Sequence, residues 1–315
     1  MDQPSSLFDR LTSRGTLLEA FGRVRDNGGC RGADGITLDR FAANLEREID
    51  SLQDRLLRRC YRPYPLLRIE LPKPSGGVRY LAVPTVRDRV LQTAVFLLTR
   101  DLFEREFEDC SHAFRQGRSV RTAVRHIHEL REQGYRWVVD ADIDDFFDSI
   151  PHDPLLERLG RLPLEPYVRE LFALWVRGEV YDGRRVVRMR KGIPQGAVTS
   201  PMLANLFLDQ LDENLALFGQ KVVRYADDFL VLCKEPAAAA EALELTDYLL
   251  EQLELDLNRE KTVTTTFDRG FKFLGAIFVR DTVFLPLDLT KEERSPPSLP
   301  PPLDLLTYLE LREPE

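Results

Sequence analysis

The stretch "KVVRYADDFLVLC", residues 221 to 233, places Asp227 and Asp228 side by side inside an apolar, strand-like run. Val222, Val223, Phe229, Leu230, Val231 and Leu232 call for burial, so the run reads as strand, tight turn, strand. Aspartate is a common turn residue, and on that ground alone the pair needs no special role. A turn between buried strands, however, brings two carboxylates close to a domain interior, where charge is costly unless a cation neutralises it.

A second apolar strand ends in the same way. Trp137, Val138 and Val139 lead into Asp140, Asp142, Asp144, Asp145 and Asp148. Some of these acids can simply face water. If Asp142 lies beside Asp227 and Asp228, hard oxygen ligands converge on a site suited to Mg²⁺. Two such ions about 3.5–4 Å apart can activate an attacking hydroxyl and stabilise a leaving pyrophosphate.

The surrounding pattern is α+β with hairpins, rather than a βαβ series. Helical spacing is expected over residues 37–59, 85–108, 119–133, 154–176, 201–217 and 237–254. Hairpins are expected from "YRPYPLLRIELPKPSGGVRYLAVP", with basic residues at its tip, and from "GEVYDGRRVVRMR". Two strands, about 261–267 and 271–279, close the compact part. Proline density after "SPPSLPPP" forbids regular structure and reads as an extended spacer.

Composition narrows the chemistry further. The 315 residues carry a net charge of −8, which argues against nucleic acid only on average. Between residues 51 and 100, ten basic residues stand against three acids, whereas from residue 286 onward seven acids outnumber three bases. The four cysteines are scattered without CxxC spacing and form no zinc pattern with the four histidines. No apolar run approaches the roughly 20 residues of a spanning helix, and the amino terminus lacks a basic segment followed by an apolar one. A cytoplasmic protein with no membrane partner is expected.

Read together, "DIDDFF", "GIPQGAVTSPMLANLFLDQLD", "YADD" and "FKFLGAIF" resemble the successive palm motifs of reverse transcriptases, most closely the bacterial group II intron-like lineage. Upstream, "GADGITLDRF", "LPKPSGGVRYLAVPTVRDRVLQ" and "CSHAFRQGRS" resemble that lineage's amino-terminal and fingers motifs, so the likeness covers about residues 28 to 280. It implies a right-hand polymerase fingers-palm fold with an antiparallel palm sheet packed on helices, the thumb missing or minimal. The expected regions are an amino-terminal and fingers part over 1–135, a palm over 136–280 interleaved with fingers around 155–200, and a proline-rich acidic tail or linker over 281–315.

The resemblance also implies roles. Asp142, Asp227 and Asp228 would hold two Mg²⁺ ions, with Mn²⁺ as a substitute, helped by the backbone carbonyl of Ile143. Phe147 falls where the family keeps an aromatic gate against the ribonucleotide 2′-hydroxyl, and Phe146 is left to core packing. Lys73 and Arg79 match residues that grip the triphosphate, a matter of neutralising a polyanion. Gln195 and Gly196 match the loop lining the nucleotide and template pocket, and Lys261 matches a lysine proposed to protonate pyrophosphate. Arg87, Arg115 and Arg118 are candidates for nucleic-acid contacts, although Arg87 and Arg89 alternate with Asp88 and can equally be structural.

The implied activity is RNA-directed DNA synthesis, with an RNA template, a DNA or RNA primer and dNTPs as partners. "VPTVRDRVLQ" and "VVDADIDDFFDSIPH" resemble the CRISPR-associated branch, and a proline spacer suits a junction to the CRISPR integrase subunits. Alternatives are a free-standing group II-like, diversity-generating or phage-defence polymerase, or a nucleic-acid-binding assembly subunit with little turnover.

Overall fold

The structure is a computed structural model that describes residues 6–72 and 77–285. Among them the strands are β1 (Leu66–Pro72), β2 (Val78–Val83), β3 (Trp137–Asp142), β4 (Glu179–Tyr181), β5 (Val186–Arg188), β6 (Lys221–Tyr225), β7 (Asp228–Cys233), β8 (Val263–Thr266), β9 (Phe271–Phe273), β10 (Ala276–Val279) and β11 (Thr282–Phe284). The described residues divide into two compact units. One takes the chain up to Phe103 together with His152–Pro201, and the other takes Glu104–Pro151 and the chain from Met202. Residues 104–135 fall in the second unit with the strand that follows them.

In the first unit the sheet order is β2-β1-β4-β5. β1 with β2 and β4 with β5 pair antiparallel as expected, the expected basic tip of the first hairpin at 73–76 lying outside the described residues, but β1 pairs β4 in parallel, with Leu66 opposite Val180 and Leu67 opposite Tyr181. No local signal announces that pair, because its partners are separated by more than a hundred residues. Leu67, Ile69, Tyr181, Val186 and Ala33 form the core on this sheet. Gly32 lies so close to Thr85 that an added Cβ would stand 2.5 Å from the Thr85 Cα.

Two expected helices are broken in this unit. Residues 38–57 form Leu38–Ala43 and Leu45–Leu57, interrupted at Asn44 (φ −120°), whose side-chain amide donates to the Arg40 carbonyl and competes with the helical ladder. Residues 152–176 form His152–Arg161 and Pro166–Val176. Pro163 and Pro166 cannot donate into a continuing helix, and Pro166 instead opens the second one.

In the second unit the order is β6-β7-β3-β8, antiparallel throughout. The helix Val120–Glu132, opened by a Ser119–Thr122 capping box, buries Ala123, Val124, Ile127 and Leu130 at helical spacing. These pack with Val138, Val223, Leu230 and Leu232 on one face of the sheet, alongside Phe267, Phe273 and Phe278. The helix Pro236–Gln252 contacts β3 and β7, burying Ala239, Ala242, Thr246, Leu249 and Leu250. The expected strand 271–279 splits into β9 and β10 where Leu274 (φ 50°) and Gly275 (φ 80°) turn the chain, and β11 extends this small sheet past residue 280.

Candidate active site

Pairing within the second unit decides where the acids fall. In the β3–β7 register Asp142 stands directly opposite Asp228, and in β6–β7 Tyr225 stands opposite Asp228. Ala226 and Asp227 form the two-residue turn between β6 and β7. Side chains alternate across a strand, so Asp140, Asp142 and Asp228 share the face that becomes the core at Val138, Leu230 and Leu232. The Ala226 φ of 60° is a left-handed backbone that glycine would adopt more cheaply, and such strain collects at functional sites.

Asp140, Asp227 and Asp228 are short of positive charge. Partial enclosure by protein, the neighbouring Asp227 and a hydrogen bond with Asp142 push the Asp228 carboxyl up to about 7, even though its side chain reaches solvent at the strand tip. Burial likewise raises Asp227, and burial with Asp142 nearby raises Asp140 to about 6. The Lys261 ammonium sits 2.7 Å from Asp142 Oδ2, and that hydrogen bond raises the lysine. The loop carrying Lys261 is fastened to β3: Asn258 N donates to the Asp142 carbonyl (2.8 Å), and Asn258 Nδ2 to Asp144 Oδ1 (3.0 Å). Asn258 Oδ1 in turn accepts from Lys261 N.

Ile143 is buried and bridges to Leu257. Asp145, with φ 38°, turns the chain into the short helix Phe146–Ser149. Phe146 is buried, as its expected packing role requires, and Phe147 is half-buried with its ring edge-on to Phe146 at 5.4 Å. Hard carboxylate oxygens are the donor type that divalent cations take, and Asp227 and Asp228 have raised proton affinity. Among the described residues no three His, Cys, Asp or Glu side chains encircle a common point; the acids adjoin one another without closing round a centre.

In the first unit, Gln195 and Gly196 lie along β2. The Gln195 carbonyl accepts from Ala82 N (2.7 Å), and the Gly196 backbone, at φ 111°, passes close to the Ala82 carbonyl. Arg79 is exposed on the same strand, opposite Leu71. Lys73 lies outside the described residues.

The remaining arginines have internal partners. Arg87 bonds Asp88 and the Arg62 carbonyl; Asp88, 1% exposed, also accepts from Tyr61 Oη and Tyr64 N, and Tyr61 accepts from Trp175. Arg115 bonds Glu104 and the carbonyls of Phe107, Glu108 and Ser111, with its side chain 4% exposed. Arg118 bonds Asp109 and keeps part of its surface open. Arg115, one of the candidates for nucleic-acid contact, braces a loop through these bonds.

Sequence reading passed over Arg224, Asn205 and Asp212. Arg224 is fully buried and donates to both Asp212 carboxylate oxygens, to Asn205 Oδ1 and to the Ala226 carbonyl. The available signal was a lone arginine in a strand flanked by buried residues.

An antiparallel sheet backed by helices, with acids meeting at the ends of adjoining strands, is the palm of a nucleotide polymerase. Residues 71–278 match the family described as reverse transcriptase (RNA-dependent DNA polymerase), and the chain belongs to that family. It is 30% identical to "Protein YkfC" of Escherichia coli over 288 residues, spanning 79% of this chain and 76% of that protein. It is 33% identical to "Group II intron-encoded protein LtrA" of Lactococcus lactis over 309 residues, spanning 77% of this chain but only half of the relative. The telomerase of Candida albicans shares the fold at a TM-score of 0.56 and 14% identity, over 71% of this chain and 47% of that one.

Proposed function

We propose that the chain is an RNA-directed DNA polymerase that extends a primer 3′-hydroxyl with dNTPs on an RNA template. The carrying observation is Asp142 opposite Asp228, with Asp227 in the adjoining turn and Lys261 on Asp142. Asp142, Asp227 and Asp228, with the Ile143 carbonyl, would hold divalent cations, Mg²⁺ with Mn²⁺ as a substitute; when bound, these supply the charge that activates the 3′-hydroxyl and stabilises pyrophosphate.

The chain's own groups do the rest. Lys261 holds the proton that the leaving pyrophosphate takes up. Arg79, with Lys73, neutralises the triphosphate, and Gln195 with Gly196 offers backbone to the nucleotide and template. Phe147 blocks a 2′-hydroxyl. Arg118, the most open of the three remaining arginines, serves the nucleic-acid backbone; within their own units Arg115 braces residues 104–111 and Arg87 pairs Asp88.

For the biological setting we favour spacer acquisition from RNA beside the CRISPR integrase, supported by the resemblance of "VPTVRDRVLQ" and "VVDADIDDFFDSIPH" to that branch. The test is primer extension on matched RNA and DNA templates, with and without the integrase. Asp227→Ala with Asp228→Ala must abolish extension; unchanged synthesis rejects the polymerase reading. An assembly protein would instead bind primer–template equally well without metal and show no extension.

A further inference from the structure

Beneath the candidate site, on the sheet face opposite Asp228, lies a buried cluster to which the polymerase reading assigns no task. The Arg224 guanidinium is 0% exposed and is held by Asp212, also 0% exposed, through Nε at 2.8 and 3.0 Å and through Nη2. Nη1 donates to Asn205 Oδ1 and to the Ala226 carbonyl, both at 3.0 Å. The backbone of Arg224 is pinned as well: its N–H donates to the Cys110 carbonyl (2.8 Å), and its carbonyl accepts from His112 N (2.9 Å). Asn205 in turn donates to the Ala113 carbonyl (2.8 Å). The Arg224 guanidinium thus ties the helix Ser200–Leu217 to the β6–β7 turn, while its backbone and Asn205 hold residues 110–113.

A buried ion pair is weak evidence for stability, because desolvation offsets its attraction and apolar replacements are often neutral or better. What an apolar pair could not do is grip the Ala226 carbonyl. That carbonyl belongs to the residue at φ 60°, immediately before Asp227, in a turn lacking the glycine that would relax it. Asp212 neutralises the guanidinium, so the grip adds little positive charge beside a cation site.

We propose that Arg224 is a positioning residue: by holding the Ala226 carbonyl it fixes the strained turn that presents Asp227 and Asp228 to a divalent cation. This rests on the polymerase reading of the site. Lysine can keep the charge against Asp212 but cannot span both the carboxylate and the Ala226 carbonyl. A carboxylate displaced by about 1 Å costs on the order of a hundredfold in turnover.

The experiment compares the wild-type chain, Arg224→Lys, the Arg224→Met/Asp212→Leu double variant, which removes both charges of the pair, and Asp227→Asn as a site control. Mn²⁺ binding is read directly from the electron paramagnetic resonance of the free ion, with primer–template affinity, kcat and thermal midpoint measured alongside. Expected are primer–template affinity within about twofold of wild type, Mn²⁺ binding weakened about tenfold or more, and a fallen kcat that recovers in part at raised Mn²⁺.

Folded Arg224 variants that bind Mn²⁺ as the wild type does overturn the proposal. So does failure of both variants to fold, because brace and fold would then be inseparable. If Asp227→Asn keeps full Mn²⁺ binding and activity, the site reading itself falls. If that control loses both while the Arg224 variants keep them, only the positioning role falls.

Discussion

Replacing Asp228 by asparagine should stabilise the metal-free protein while destroying its proposed activity. The Asp228 carboxyl is raised from 3.8 to about 7 by partial burial and by Asp227 and Asp142. A group held higher in the folded state contributes stability that is complete below the unfolded value, near 3.8, and lost as pH climbs through about 7. At pH 8 the folded chain therefore carries an ionised carboxylate that the unfolded chain accommodates more easily. A rise of about three units corresponds to about 4 kcal/mol at 1.36 kcal/mol per unit. Solvent at the exposed strand tip screens at least half of it, leaving about 1–2 kcal/mol.

Asparagine never ionises, so Asp228→Asn should raise the thermal midpoint at pH 8 in chelator by about 2–8 °C, at 2–4 °C per kcal/mol. The advantage should shrink towards pH 5, where the wild-type carboxyl keeps its proton when folded. Magnesium should reverse the order, since a cation at a hundred times its Kd adds about 2.7 kcal/mol to the chain that binds it. Scanning calorimetry at pH 5 and pH 8, with chelator and with Mg²⁺, reads all of these. A variant no more stable than wild type at pH 8 in chelator, or stabilised equally at both pH values, refutes the idea of a charge-starved site.

Other outcomes follow from the same geometry. Lys261→Ala should lower kcat about 10²-fold with primer–template affinity unchanged in a binding assay, since the side chain is 65% exposed and its loss leaves the fold intact. Phe147→Ala should admit ribonucleotides, read as incorporation of rNTPs in primer extension; unchanged discrimination by a folded, active variant removes the gate. Gly32→Ala should cost about 1–3 kcal/mol in a denaturant titration, because its Cβ would press on the Thr85 backbone.

The meeting of acids was legible in the sequence: acids interrupting two apolar strands are expensive, which pointed to Asp142 beside Asp227 and Asp228, and the β3–β7 register places Asp142 opposite Asp228. The hairpins and the helix Val120–Glu132 were equally open, since turn residues and a capping box are local signals. Hidden were features decided by distant or competing contacts: the parallel β1–β4 pair, the Asn44 break and the split at Leu274 and Gly275. The bonds of Arg115 to the carbonyls of Phe107, Glu108 and Ser111 were hidden too, because the loop that brings them together carries no local signal.

The parallel pairing of β1 with β4 has a consequence for how the chain is made. Strands β4 and β5 emerge only after residues 104–151, the first stretch of the other unit, have been synthesised. The hairpin of β1 and β2 must wait with one edge unpaired, a surface on which stray strands can dock. Closing the four-stranded sheet then requires a loop of more than a hundred residues to be drawn in, a slow step in a chain rich in distant contacts. A ribosome stalled before residue 179 should therefore hold a nascent chain that proteases cut readily within strands β1 and β2, whereas one stalled well past residue 201 should protect those strands.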